Sequence, residues 1–389
     1  MTIQIYTKQE EKHLQDIARL YLIAGRCPEI LDSIKFDTRE IDWQKILAYA
    51  EDQFVLPLLY RNLNGSSVLP TELEESLRST YLETARINLS HVQSLKELLV
   101  LFRNDQIDCI VLKGLSLAVG LYGNIAVRPS RDIDLLLHLE DIPSALKHTL
   151  SVGYQFYNVP LNRESDLQFE NEILLYNPES EIFLELHWSL FDSPHYQSKL
   201  DLSWFWNPRI PVNVGTTTIM SLAAEANLIY LCGHLVYHHK GNELLWLNDI
   251  AELISQSQVF FDWETIIEKA GEFQLTLPIR QVLEHIRRYW RVPVPEEVLQ
   301  ALNHNQVSDE EKRVFAALMG GRPSAGKQFW IDFISLSGWE KRFNYALSSL
   351  FPSFEYMRER YKVEKIIFLP LFYIYRWWLG IRSYLNGHE

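Results

Sequence analysis

The 389-residue chain contains only three cysteines, Cys27, Cys109 and Cys232. They are too few and too scattered for a disulfide framework or a zinc knuckle, so each reads as a buried reduced thiol. Long hydrophobic runs are also missing. No stretch of about 18 uncharged apolar residues occurs, the length a membrane-crossing helix requires. The nearest approach, Ile366–Tyr375, is interrupted by Pro370 and bracketed by Lys365 and Arg376. Positive charge is in deficit: 37 Lys+Arg face 50 Asp+Glu, a formal net charge of −13. That balance disfavours a long, sequence-blind grip on nucleic acid, which needs a basic surface. The opening residues MTIQIYTKQEEKHLQD hold no apolar signal core. Together with the reduced thiols, this makes the cytoplasm the expected location.

What is present is an ordinary globular composition, 47% hydrophobic and 22% charged. At about 150 residues per domain the length suits two or three domains, and no internal repeat is visible. Residues 1–105 read as a helical region, with apolar residues at three-to-four spacing through His13–Ile23, Trp43–Leu63 and Leu73–Phe102. Asp42 is a plausible N-cap, and Asn64-Gly65-Ser66-Ser67 a helix end. The pattern changes near Asp108. Residues 106–215 read as a small α/β unit with strands at Cys109–Leu112, Ile133–Leu139, Gly153–Val159, Leu167–Tyr176 and Ile182–Leu190. A helix over Pro143–Ser151 and a turn at Asn177-Pro178-Glu179-Ser180 fit between them. The seam at Asn213-Val214-Gly215-Thr216 opens a second helical region, 216–389.

The informative stretch runs from Val111 to Leu135. Asp132 and Asp134 stand two apart at the start of a strand, so both carboxylates leave one face. Like charges that close are costly unless a cation lies between them, and hard oxygen ligands at this spacing suit Mg²⁺. About fifty residues on, alternation in Phe183-Leu184-Glu185-Leu186-His187 places Glu185 and His187 together on one face. Glu185 supplies a third carboxylate if the two strands are neighbours. Upstream, the Lys113-Gly114 turn lets backbone N–H groups and one lysine approach a polyphosphate, with no side chain on the glycine to obstruct it.

This constellation resembles the DNA polymerase β-like nucleotidyltransferase superfamily: strand, glycine-bearing turn, helix, a strand with Asp-x-Asp, and a third acid on a later strand. The likeness extends to one bacterial branch, the "uncharacterised nucleotidyltransferase" family. It is carried by Leu22-Ile-Ala-Gly-Arg-Cys-Pro28, Asp42-Trp43, Leu56-Pro57-Leu-Leu-Tyr60, Lys113-Gly114, Leu121-Tyr122, Arg131-Asp-Ile-Asp-Leu135 and Glu185-Leu-His-Trp188. His234 to His238, Leu245-Trp-Leu-Asn-Asp249 and Leu350-Phe-Pro-Ser353 add to it. The superfamily usually shows Gly-Ser or Gly-Gly at the turn, whereas here it is Lys113-Gly114, and the spacing to Asp132 is long.

The resemblance implies an α+β fold: a small mixed-sheet polymerase β-like core flanked by N-terminal and C-terminal helical regions. It implies a metal-dependent enzyme that moves an NMP from an NTP donor to an acceptor with release of pyrophosphate. Asp132, Asp134 and Glu185 would hold two Mg²⁺ ions, with Mn²⁺ as a substitute. Lys113, Gly114, Ser116, Arg128 and Arg131 would contact the triphosphate, and His187, His234 and His238 would line the nucleotide cleft. The acceptor is a small molecule, a peptide or a protein side chain, with RNA disfavoured by the acidic balance. The competing reading is a catalytically silent nucleotide sensor or scaffold on the same fold. The three converging carboxylates also imply electrostatic strain in the metal-free protein.

Other signals have plainer readings. Arg131 could serve only as a salt-bridge partner of the acids. His187 suits a hydrogen-bonding role better than that of a base. His234, His238 and His239 with Asp249 resemble zinc spacing, but Leu235 stands where a metalloprotease helix needs Glu. Gly321–Gln328 imitates a P-loop yet follows a helical stretch, and Gln328 replaces the required Ser or Thr. The aromatic run from Phe368 to Tyr384 reads as a terminal helix packing on the core.

Overall fold

The computed structural model describes residues 8–33, 42–157, 169–239, 241, 243–256, 261–319, 325–336, 338–363 and 365–386. The expected strand residues in 158–168, and the first four residues of the P-loop imitation, lie outside these.

The architecture is α+β, as the periodicity implies: helices on both sides of a small mixed sheet. Asp42 caps the helix Trp43–Asp52, its carboxylate accepting from Lys45 N. The single helix expected over Trp43–Leu63 is two, Trp43–Asp52 and Leu56–Leu63. Pro57 lies in the first turn of the second helix, where its missing N–H costs nothing. In a continuous helix it would remove a bond and clash with the preceding turn. Thr71–Asn104 is one helix of 34 residues.

The sheet uses strands β1 (Cys109–Val111), β2 (Asp132–Leu137), β3 (Gln155–Phe156), β4 (Glu172–Asn177) and β5 (Ile182–His187) in the order β1-β2-β5-β4-β3. Only β2 and β5 run parallel; the other neighbours are antiparallel. Asn177 closes the β4–β5 turn by accepting from the N–H groups of Glu179 and Ser180. At the expected seam, Asn213 and Val214 end β6 (Ile210–Val214), and Gly215-Thr216 turn the chain into β7 (Thr217–Ser221). Gly215 there has φ +61°. Proline and asparagine in Ile210–Val214 mask the strand signal.

One face of the sheet (Ile133, Leu135, Leu137, Leu184, Leu186) joins Leu95, Leu98 and Phe102 of the long helix in one buried cluster. The opposite face of β2 and β5 carries Asp132, Asp134, Glu185 and His187. A larger apolar cluster extends from Leu14 to Val314 and includes the apolar residues from Ala226 to Val236 of the helix Ala224–His239. Of the thiols, Cys109 and Cys232 are buried, but Cys27 is only half-buried and donates to Glu29. No helix among the described residues is long and apolar enough to cross a membrane.

Candidate active site

The parallel pairing of β2 with β5 brings the acids together. Asp134 lies opposite Glu185, and Leu136 opposite His187. The ligand atoms of Asp134, Glu185 and His187 fall within 4.8 Å of one another, a spacing that could hold a metal ion. His187 Nε2 lies 3.2 Å from Asp134 Oδ1 and 3.0 Å from Glu185 Oε2. Its other nitrogen, Nδ1, is 3.1 Å from Glu172 Oε2 on β4, the residue directly across the ladder. Burial opposes charge on this imidazole, but Glu172, Asp134 and Glu185 outweigh it and hold its pKa well above the ordinary value. Burial likewise pushes the Glu172 carboxyl up. At Glu185 burial is overcome by the His187 hydrogen bond and the Lys113 charge, which hold it down.

Lys113 is the second cation of the cluster. Its ammonium lies 2.9 Å from Asp134 Oδ1 and 3.7 Å from Glu185 Oε2. Burial disfavours that ammonium, yet Asp134, Tyr230, Asp132 and Glu185 together raise its pKa well above normal. Strain between three bare carboxylates is therefore not what the structure shows, because Lys113 and His187 neutralise Asp134 and Glu185. One acceptor is left over: Asp134 Oδ2 is buried with no hydrogen-bond donor among the described residues. A buried carboxylate oxygen without a donor, beside a second carboxylate, fits a divalent cation.

Asp132 flanks this cluster rather than joining it. Burial and the neighbouring Asp134 raise its pKa, only partly offset by Lys113, Arg128 and Arg131.

The turn after β1 is shaped by backbone strain. Gly114 has φ +33° and ψ −112°, and a Cβ there would collide with Ser130 Oγ. Lys113 itself sits at φ +29°, a conformation side chains rarely adopt. Ser116 Oγ donates to Lys113 O and Ser130 Oγ to Asp132 O, so both hydroxyls hold the turn.

The remaining residues singled out from sequence lie around this cluster. Arg128 is buried and gives Nε and Nη2 to Asp249 Oδ2 at 3.1 and 3.0 Å, while Tyr122 donates to Oδ1 at 2.7 Å. Asp249 is thus committed to Arg128 and Tyr122, away from the histidines. Arg131 is exposed and lies over the Phe54 ring, 4.0 Å from its centroid. His234 stacks on His238 at 4.2 Å and packs tilted against Trp246 at 4.4 Å. Burial and the neighbouring cations keep His234 well below its usual pKa. Trp246 also has Lys113 and Arg128 over its ring, at 6.0 and 5.6 Å.

Compared with known families, residues 39–291 match a family described as "uncharacterised nucleotidyltransferase". The chain belongs to this family. No curated protein matches it. The five-stranded mixed sheet is consistent with a nucleotidyltransferase core, and the matched span includes every site residue from Lys113 to Asp249. The helices after residue 291 lie outside it.

Sequence reasoning missed several residues around this cluster. Glu172 is found only through the β4–β5 register, which no local pattern announces. His91, 3% exposed on the long helix, has Asp132 and Asp134 for charged neighbours, and burial lowers its pKa. Its Nδ1 is buried without a partner among the described residues. Asn88, one turn earlier, donates to the carbonyls of Ile125 and Arg128 and so anchors the segment leading into β2. The aromatic hub Trp246 had a signal, since it falls in the resembling segment Leu245–Asp249.

Proposed function

We propose that the protein is a metal-dependent nucleotidyltransferase that moves an NMP from an NTP to an acceptor, releasing pyrophosphate. The observation that carries this reading is the meeting of Lys113, Asp134, Glu185 and His187 beside a glycine turn that a Cβ would block. Asp132, Asp134 and Glu185 are the proposed Mg²⁺ ligands, with Mn²⁺ a substitute. When bound, the ions supply Lewis-acid activation of the acceptor nucleophile and charge neutralisation of the leaving pyrophosphate.

The chain's own groups do the rest. Gly114 keeps the backbone low so that N–H groups of the turn reach phosphate oxygens. Lys113 shares the carboxylates' oxygens and would offer its ammonium to the triphosphate. Arg131 is placed to meet the outer phosphates. His187 orients Asp134 and Glu185 from one nitrogen while Glu172 steadies the other. Arg128 and Asp249, with Tyr122, fix Trp246 against the turn, so Arg128 acts on the nucleotide through that wall. His234 and His238 extend the wall and offer a ring face to the base or acceptor.

One observation favours the competing reading of a silent nucleotide sensor. Lys113 and His187 together already balance Asp134 and Glu185, so the site is charge-satisfied without metal. The test is incubation with each α-labelled NTP and Mg²⁺ or Mn²⁺ in cell-extract fractions, with pyrophosphate release as a second readout. Label should reach an acceptor in wild type and not in Asp134→Asn or Glu185→Gln. Nucleotide that stabilises wild type and Asp134→Asn equally, with or without metal, and no released pyrophosphate, would make the cleft a sensor site.

A further inference from the structure

The aromatic end of the chain does not pack on the core as its sequence suggests. The helix Leu369–Asn386 is tied down on one side only. Tyr373 OH donates to Pro352 O, Trp377 Nε1 to Leu350 O, and Arg376 to Ser349 O. On the other side Leu371, Ile374, Tyr375, Trp378 and Ile381 are 47–62% exposed. Their spacing of three and four residues makes one continuous apolar stripe. The same design recurs next to it. In the helix Trp339–Leu350, the side chains of Trp339, Phe343, Leu347 and Leu350 repeat at helical spacing and are 40–77% exposed. In the helix Ala325–Ser335, which packs against both, Trp330 and Ile334 sit one turn apart at 47% and 56% exposure. Ile366 and Ile367, just before the last helix, are 59% and 80% exposed. A monomer rarely leaves so many neighbouring apolar side chains in water without a use for them.

Charge says what the surface fits. The chain as a whole is at −13, yet residues 325–386 hold nine Lys/Arg against five Asp/Glu, a local excess of +4. The segment also holds 17 of the chain's 49 aromatic residues, the side chains that favour a membrane–water boundary. Arginines sit beside the exposed rings: Arg382 over Trp378 at 5.3 Å and Arg342 over Trp339 at 5.7 Å.

We propose that these helices bind the surface of an anionic lipid bilayer, lying in the headgroup layer with their apolar stripes turned into it. They do not span it, because no described helix has the length and apolarity to cross. A second copy of this chain would set one cationic apolar face against another, whereas acidic headgroups complement it. The strongly acidic remainder of the molecule is repelled by the same headgroups, which holds the nucleotidyltransferase cleft towards water.

The test uses the full chain and vesicles of phosphatidylcholine with or without phosphatidylglycerol, in a sedimentation assay. Wild type should partition onto the anionic vesicles at least tenfold more than onto neutral ones, and raised salt should weaken this. Leu371→Ser combined with Trp378→Ser should cut partition at least tenfold at an unchanged melting temperature, because both side chains are exposed. Should that variant fold poorly, quenching of wild-type tryptophan fluorescence by brominated anionic lipid gives the independent readout. Equal partition onto neutral vesicles, no partition, or a concentration-dependent dimer dissolved by the same substitutions would overturn the proposal.

Discussion

The helices Ala224–His239 and Leu369–Asn386 have similar apolar content and opposite fates. Every residue from Ala226 to Val236 is buried. In the terminal helix, Leu371, Ile374, Trp378 and Ile381 are all more than half exposed. The first helix packs against Leu244–Ser255, Trp263–Glu272, Thr276–Tyr289 and Asp309–Met319 and carries the stacked pair His234 and His238, the former beside Trp246. The second has neighbours on one side. Apolar composition creates a demand for burial, but the number of packing partners decides whether it is met inside the chain. The family match obeys the same division, covering the first helix and stopping well before the second.

Substitutions that separate the two regions run from large effects to none. The largest lies in the cleft. Asp134→Asn should lower nucleotidyl transfer at least about hundredfold. It should also cost about 1–3 kcal/mol of stability, because Lys113 and His187 lose a charged acceptor. Asp132→Asn sharpens the contrast. Burial and Asp134 disfavour its charge in the folded protein, so the variant should lose activity while melting at the same or a higher temperature. Either carboxylate behaving like the other in thermal denaturation would remove the distinction drawn here between a paired acid and a strained one.

Breaking the buried wall comes next. Arg128→Ala should destabilise by about 3–5 kcal/mol in chemical denaturation, since Asp249 is left buried with Tyr122 alone. In the packed helix, Leu231→Ala should cost about 2–5 kcal/mol for the cavity it leaves. Gly114→Ala is smaller, about 1–3 kcal/mol, because Ser130 must move to admit the methyl group. It should weaken NTP binding more than the stability loss explains, which calorimetric titration at a temperature well below melting can separate. At the far end, Trp378→Ser should change stability by no more than about 0.5 kcal/mol. A loss there comparable to that of Leu231→Ala would mean the terminal helix packs on the body after all.

Much of the site was legible before any coordinates. The Asp132-x-Asp134 pair, the Lys113-Gly114 turn and the Glu185/His187 alternation are local patterns, and local patterns survive in sequence. The adjacency of β2 and β5 was a condition the sequence could pose but not answer. The neutralising role of Lys113 was hidden because Lys113 precedes Asp134 by twenty-one residues and meets it only through the turn. Glu172 was hidden for a similar reason: its partner lies across a ladder whose register is set by the β4–β5 turn. The split at Pro57 was readable from proline chemistry, whereas the β6–β7 hairpin was masked by Pro211 and Asn213.

The sequence alone determined the helical, α/β, helical order of the regions, the shared face of the carboxylates and the presence of a glycine at the turn. Each follows from period, steric exclusion or charge within a few residues of chain. Tertiary structure alone decided that Asp134 rather than Asp132 sits at the centre of the ligand cluster. It also decided that Arg128 is committed to Asp249 and that the terminal aromatics face outward. These outcomes depend on which distant elements come within about 4 Å of one another, and that is fixed only when the whole chain has closed around its core.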